Sequence, residues 1–128
     1  MLIYYAHPID QTGGGDDPFY WLPEALGSRG AVVYDPAAAW RAPALNRPRP
    51  GLQKANLDVL RRCDGLIACL RRDVMSVGVV LEIVEAINHD IPTLVYAPGM
   101  STSWALAYLG AEVTDDHMRV WSWLEGIN

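Results

Sequence analysis

Four short runs, Leu2–Ala6, Ala31–Tyr34, Gly65–Leu70 and Thr93–Tyr96, are apolar at nearly every position rather than at every second one. A strand with one wet face alternates, whereas a strand that is apolar throughout has both faces covered, as in a parallel sheet layered between helices. A weaker fifth strand lies near Glu112–Val113. Apolar residues at helical spacing place helices between the strands at Pro18–Ser28, Gly51–Arg62, Val77–His89, Thr102–Leu109 and Asp116–Glu125. Strand and helix in alternation predict an α/β fold, a small doubly wound sheet of five parallel strands, flavodoxin-like or Rossmann-like, with helices on both faces. At 128 residues the chain reads as one domain, 1–128, long enough to bury about two-thirds of its unfolded surface.

Two segments interrupt this rhythm: His7–Asp17, with Gly13-Gly14-Gly15, and Asp35–Pro50, with four of the nine prolines. Both follow strands, and in an open parallel sheet ligands bind beyond the carboxyl ends of the strands. The glycine run does not fit a nucleotide fingerprint. It lacks the Lys-Ser/Thr of a phosphate loop and the G-x-G-x-x-G spacing of a dinucleotide turn, and Asp16-Asp17 put negative charge where phosphate would sit. It reads as a mobile hinge or lid, and the Pro-rich stretch as a semi-rigid surface loop.

Ten Lys/Arg against fifteen Asp/Glu give a formal charge of −5, without a run of five or six basic residues. That balance excludes a nucleic-acid polymer as partner, and leaves room for an anionic small molecule held by backbone N–H groups. Cys63 and Cys69 are too few for a disulfide framework, and no Cys/His pair has zinc-ligand spacing, so a reducing cytoplasm and no metal are expected. Met1–Ala6 has no basic leader and its apolar run ends at His7, which gives neither a signal peptide nor a membrane span.

The stretch that carries chemistry runs from Asn56 to Glu85: a helix, a buried strand, a short loop, and a second helix opening on Ser76-Val77-Gly78. Ser76 has the character of an N-cap, and the free N–H groups of the turn behind it favour an anion. Glu82 follows among Val79, Val80, Leu81, Ile83 and Val84. Two readings compete for it. Gly78, Glu82, Glu85 and His89 are spaced as the wet stripe of a surface helix, while the position of this helix at the ligand-binding edge of the sheet favours a functional carboxylate.

The order of Ile3-Tyr4-Tyr5-Ala6 on a first strand, Asn56 to Asp64 ahead of a buried strand, and Ser76-x-Gly78-x-x-x-Glu82 resembles the nucleoside 2-deoxyribosyltransferase superfamily. Serine at position 76 is similar to the branch of nucleoside 5′-monophosphate N-glycosidases and cytidylate hydrolases. The resemblance implies that Glu82 is a nucleophile for the anomeric carbon and that the Tyr4 hydroxyl holds its carboxylate. It places Asn56 where an aspartate usually contacts the sugar hydroxyls, with Asp58 as the alternative carboxylate. It assigns Ser76 with Gly78 to a 5′-phosphate, and Ser101 and Ser103 to a loop reaching a neighbouring subunit's phosphate, which implies a homodimer and no cofactor. Val80 stands for a frequent second glycine, and His7-Pro8-Ile9-Asp10 differs from the usual Gly-containing turn. His7 and Asp10 remain candidates for the base or sugar, His7 also as a proton donor to the leaving base.

A carboxylate beneath C1′ stabilises an oxocarbenium-like state and traps it covalently, as in retaining glycosidases. Water as acceptor makes a hydrolase and a second base makes a transferase. A nucleotide-binding sensor without turnover, suggested by Asn56 and Val80, and a plain interaction module are the competing readings. Elsewhere, Asp64 is expected to cap or end a helix, Trp104, Trp121 and Trp123 to serve core or interface, and the cysteines to be small buried hydrophobes.

Overall fold

The apolar runs form a sheet in the computed structural model, which describes residues 1–8, 18–39, 51–72, 76–100 and 110–127. The expected helix Thr102–Leu109 and the candidates Asp10, Ser101 and Ser103 lie outside the described residues, as do Gly13–Gly15 and Trp104. Strands β1 (Leu2–Ala6), β2 (Val32–Tyr34), β3 (Gly65–Cys69), β4 (Thr93–Tyr96) and β5 (Glu112–Thr114) are all parallel, in the order β2-β1-β3-β4-β5. The described helices are α1 (Leu22–Ser28), α2 (Pro36–Ala39), α3 (Leu52–Leu60), α4 (Val77–Asn88) and α5 (His117–Ile127). None of them is long and apolar enough to cross a membrane.

Successive strand residues point to opposite faces, and both faces are apolar. Ile3, Tyr5, Ile67 and Leu94 pack with Leu22 and Leu26 of α1 and with Val120, Trp123 and Leu124 of α5. On the other face Tyr4, Leu66, Ala68 and Val95 pack with Leu60 of α3 and with Val79, Ile83 and Ala86 of α4. Gly65 lets α5 approach the sheet: a Cβ there would sit 2.9 Å from both Ile127 Cδ1 and Trp123 Cη2.

Three local expectations are corrected. Helix α1 begins at Leu22 because Pro18–Trp21 close a turn in which Leu22 N–H donates to Phe19 O and Trp21 Nε1–H to Pro18 O. The segment read as a Pro-rich loop opens with α2, started by Asp35, whose Oδ1 accepts the Ala37 N–H at 2.9 Å, and by Pro36 with its preset φ. Asp64 is no helix cap; its Oδ2 accepts the Leu2 N–H at 2.7 Å and ties the entry of β3 to that of β1.

Strand order determines where a ligand fits. The chain leaves β1 for β2 on one side, then crosses to β3 on the other, so connections diverge between β1 and β3 and open a crevice beyond their carboxyl ends.

Candidate active site

Parallel register sets Tyr4 of β1 level with Tyr34 of β2 and Leu66 of β3. The two tyrosine rings therefore lie side by side, centroids 5.4 Å apart. Asn56 of α3 is buried, and its Oδ1 accepts the Tyr34 hydroxyl proton at 3.2 Å. Glu82 of α4 is only 6% exposed, and its Oε1 accepts the Tyr4 hydroxyl proton at 3.2 Å. The stripe reading of α4 is thus split: Glu85 turns outward to Arg61 of α3 at 2.6 Å, while Glu82 turns in.

Burial pushes the Glu82 carboxyl up to about 7, against the Tyr4 hydrogen bond and the nearby His7, which both lower it. The Tyr4 phenol is driven well above its usual range by burial and by Glu82, so it stays a hydrogen-bond donor. At neutral pH the carboxyl is therefore divided between its protonated and ionised forms.

Past β1, the His7 Nε2–H donates to Asp35 Oδ1 at 2.7 Å, and the imidazole stacks on Tyr5 with centroids 4.4 Å apart. Past β3, Ser76 caps α4 as expected: it is extended, buried, and its Oγ accepts the Val79 N–H at 3.3 Å. A Cβ on Gly78, two residues into the cap, would meet no atom within 4 Å, so the backbone there is open to a ligand.

Of the residues singled out in the sequence, Tyr4, His7, Asn56 and Glu82 are brought together, with Ser76 and Gly78 at the start of the helix that carries Glu82. Asp58 is not part of the group; it is exposed on α3 and pairs with Arg61 at 3.1 Å. Tyr34 and Asp35 were missed, although the Asp35-Pro36 pair is a helix-start signal. Trp123 belongs to the core, while Trp121 is half-buried under the Arg29 guanidinium, 3.8 Å from its centroid. Cys63 and Cys69 are buried free thiols, and burial with nearby Asp64 pushes Cys63 up to about 12.

Among the described residues, clefts also open away from this group. A space of about 230 Å³ between Phe19, Leu70, Arg71, Tyr96 and Pro98 adjoins the carboxyl ends of β3 and β4. A larger one, about 650 Å³, opens at the opposite end of the strands, where Asp64 and Arg119 are already engaged with Leu2 and Glu112. Position at the strand carboxyl ends, rather than volume, marks the functional edge. Among the described residues no three His, Cys, Asp or Glu side chains cluster to hold a metal ion.

No protein-family model matches the sequence, and no curated protein matches it at a significant level. Solved structures do share its architecture. A 2-deoxyribosyltransferase from the psychrotolerant bacterium Bacillus psychrosaccharolyticus is 15% identical, with a TM-score of 0.74 over 94% of this chain and 90% of that one. The 2-deoxyribosyltransferase from Leishmania mexicana is 19% identical, with a TM-score of 0.67 over 97% of each chain. With its parallel order β2-β1-β3-β4-β5 and helices on both faces, the chain has the fold of the 2-deoxyribosyltransferases.

Proposed function

We propose that the protein cleaves the N-glycosidic bond of a nucleoside 5′-monophosphate or a (deoxy)nucleoside through Glu82, with a covalent glycosyl-enzyme that passes the sugar to water or to a second base. The observation that carries this reading is the buried Tyr4–Glu82 pair beside the β1/β3 crevice. A carboxylate kept from water and aimed by a phenol is poor company for its apolar neighbours and well suited to a developing cation at C1′. Glu82 attacks as the base leaves with the bonding electrons; the acceptor then displaces the ester and restores the carboxylate. Asn56, held by Tyr34, is the residue for the sugar hydroxyls, and Ser76 and Gly78 receive the 5′-phosphate at the start of α4. Asp10, Ser101 and Ser103 keep the substrate-binding roles that the resemblance implies.

The test follows free base by chromatography from ribo- and deoxynucleosides, each with and without its 5′-phosphate. Base release is expected from at least one; binding without release would favour a sensor on the same fold. Ser76→Ala is expected to cost about 1 kcal/mol of stability as a lost cap and to raise KM for phosphorylated substrates alone. An equal rise for the unphosphorylated nucleosides would remove the phosphate from this site. Tyr4→Phe deletes the bond that lowers the Glu82 carboxyl, so the ascending limb of the pH–rate profile moves to higher pH, with a loss of about tenfold at neutral pH, the size of one hydrogen bond to a charged group. An unmoved limb would take Tyr4 out of the mechanism.

The working unit is a homodimer. Val77 and Leu81, one turn apart on α4, are 65% and 48% exposed, next to half-buried Val80 and Val84. A second copy would cover this apolar stripe, and a monomer in the ultracentrifuge at micromolar concentration would rule it out. The setting is the cytoplasm, in keeping with two free thiols, and cell fractionation checks it.

A further inference from the structure

The reaction needs a proton for the leaving base and must take one from the acceptor, and three of the assembled side chains supply neither. Asn56 does not titrate, the Tyr4 phenol is held far above its usual range, and Glu82 is the atom donor for the new bond. Among the described residues, the proton-exchanging side chain whose charge Glu82 feels is His7.

Its surroundings are built. The His7 side chain is 8% exposed, its ring lies flat on Tyr5 at an interplanar angle of 17°, and its Nε2 is 2.7 Å from Asp35 Oδ1. Asp35 is itself fixed by the Ala37 N–H at the start of α2. Because a carboxylate only accepts, the proton of the neutral imidazole sits on Nε2 and Nδ1 carries a lone pair. That Nδ1 is buried and has no hydrogen-bond partner among the described residues. A buried acceptor left open beside a nucleophile is a place for a substrate's proton. Among the described residues, the ring is paired with Asp35 and interacts electrostatically with Glu82.

Resting on the glycosidic reading above, we infer that His7 Nδ1 is the acid–base atom of the site and that Asp35 is its positioning residue, through the tautomer and ring orientation it enforces. In the second half-reaction the Nδ1 lone pair takes a proton from the attacking water or base N–H. The acceptor atom bonds to C1′, and the C1′–O bond to Glu82 breaks with its electrons returning to the carboxylate. In the first half-reaction the imidazolium gives the Nδ1 proton to the departing base, which keeps the electron pair of the C1′–N bond while Glu82 bonds to C1′. The proton given to one base is regained from the acceptor, so the cycle closes.

Two leaving groups on one sugar separate this role from a structural one. One is the nucleobase of whichever adenine, guanine, cytosine, uracil or thymine nucleoside or 5′-monophosphate is turned over fastest; the other is 4-nitrophenolate, which departs as a stable anion. His7→Phe retains the stacking on Tyr5, and Asp35→Asn retains the cap on Ala37. His7→Phe is expected to slow nucleobase release by about 10²–10⁴-fold and first-turnover nitrophenolate release by less than about tenfold, with Asp35→Asn showing a smaller version of the same split. If circular dichroism shows His7→Phe unfolded, Asp35→Asn decides. Equal losses for both leaving groups, or no loss for the nucleobase, would overturn the acid–base role while leaving the glycosidic reading in place. Release of neither group by the unmutated protein would remove that reading, and this inference with it.

Discussion

Glu82→Gln is expected to lose base release by roughly 10⁴-fold or more and, above pH 7, to be harder to unfold than the unmutated protein. The first effect follows from the nucleophilic role proposed for this carboxylate. The second comes from burial. The carboxyl titrates at about 7 in the folded protein and near 4.5 when unfolded, so between these values the folded state holds a proton that the unfolded chain has released. Stability therefore falls as pH rises through this window, and above about pH 7 the penalty is complete, on the order of 3 kcal/mol. Glutamine carries no charge, and its amide oxygen still accepts the Tyr4 proton. Thermal melts at pH 8 should show the variant higher by several degrees, and melts at pH 4.5 should show little difference. A lower melting temperature at pH 8 would mean that the site does not strain the ionised carboxylate. The two outcomes together would set activity against stability at this residue, as where a fold retains an ill-solvated group for chemistry.

Leu66→Ala is expected to lose about 2–5 kcal/mol, a large share of the roughly 5–15 kcal/mol that holds a domain of this size together. Leu66 is fully buried in the central strand, level with Tyr4 on one side and Thr93 on the other. It belongs to the cluster that includes Val79 and Ile83 of α4, so the truncation opens a void beneath the helix that carries Glu82. Urea unfolding with an unchanged m-value gives the stability loss. The residual activity of the folded fraction should also fall, because a helix that settles into the void moves its carboxylate relative to Tyr4. A loss below 1 kcal/mol would show that α4 does not rest on this side chain.

The strands were legible because both sheet faces are covered, which makes nearly every position of β1, β3 and β4 apolar and leaves no alternation to misread. Helix α2 was not: four residues are too few for a period, and only the Asp35-Pro36 start announces it. The choice between Asn56 and Asp58 was also beyond pattern reading. Two residues along a helix turn the side chain by roughly 200°, and which of the two faces the sheet depends on how α3 docks; Asn56 does. Tyr34 and Asp35 gain their places from the parallel register of β2 on β1, a pairing that neither segment encodes by itself. Glu82 stood out by its position after Ser76, but its spacing with Glu85 and His89 fitted a solvated stripe equally well. The packing of α4 against α3 separates them, since it gives Glu85 an arginine partner and leaves Glu82 inside.

Tyr4 and Glu82 are 78 residues apart in the chain, and the contact between them exists only once β1 and β3 have paired and α4 has closed over them. Loops that long are slow to shut, and no local fragment can anticipate the result. Turnover during refolding should consequently lag behind the recovery of helical signal, so that the assay acts as a clock for the final docking event rather than for chain collapse.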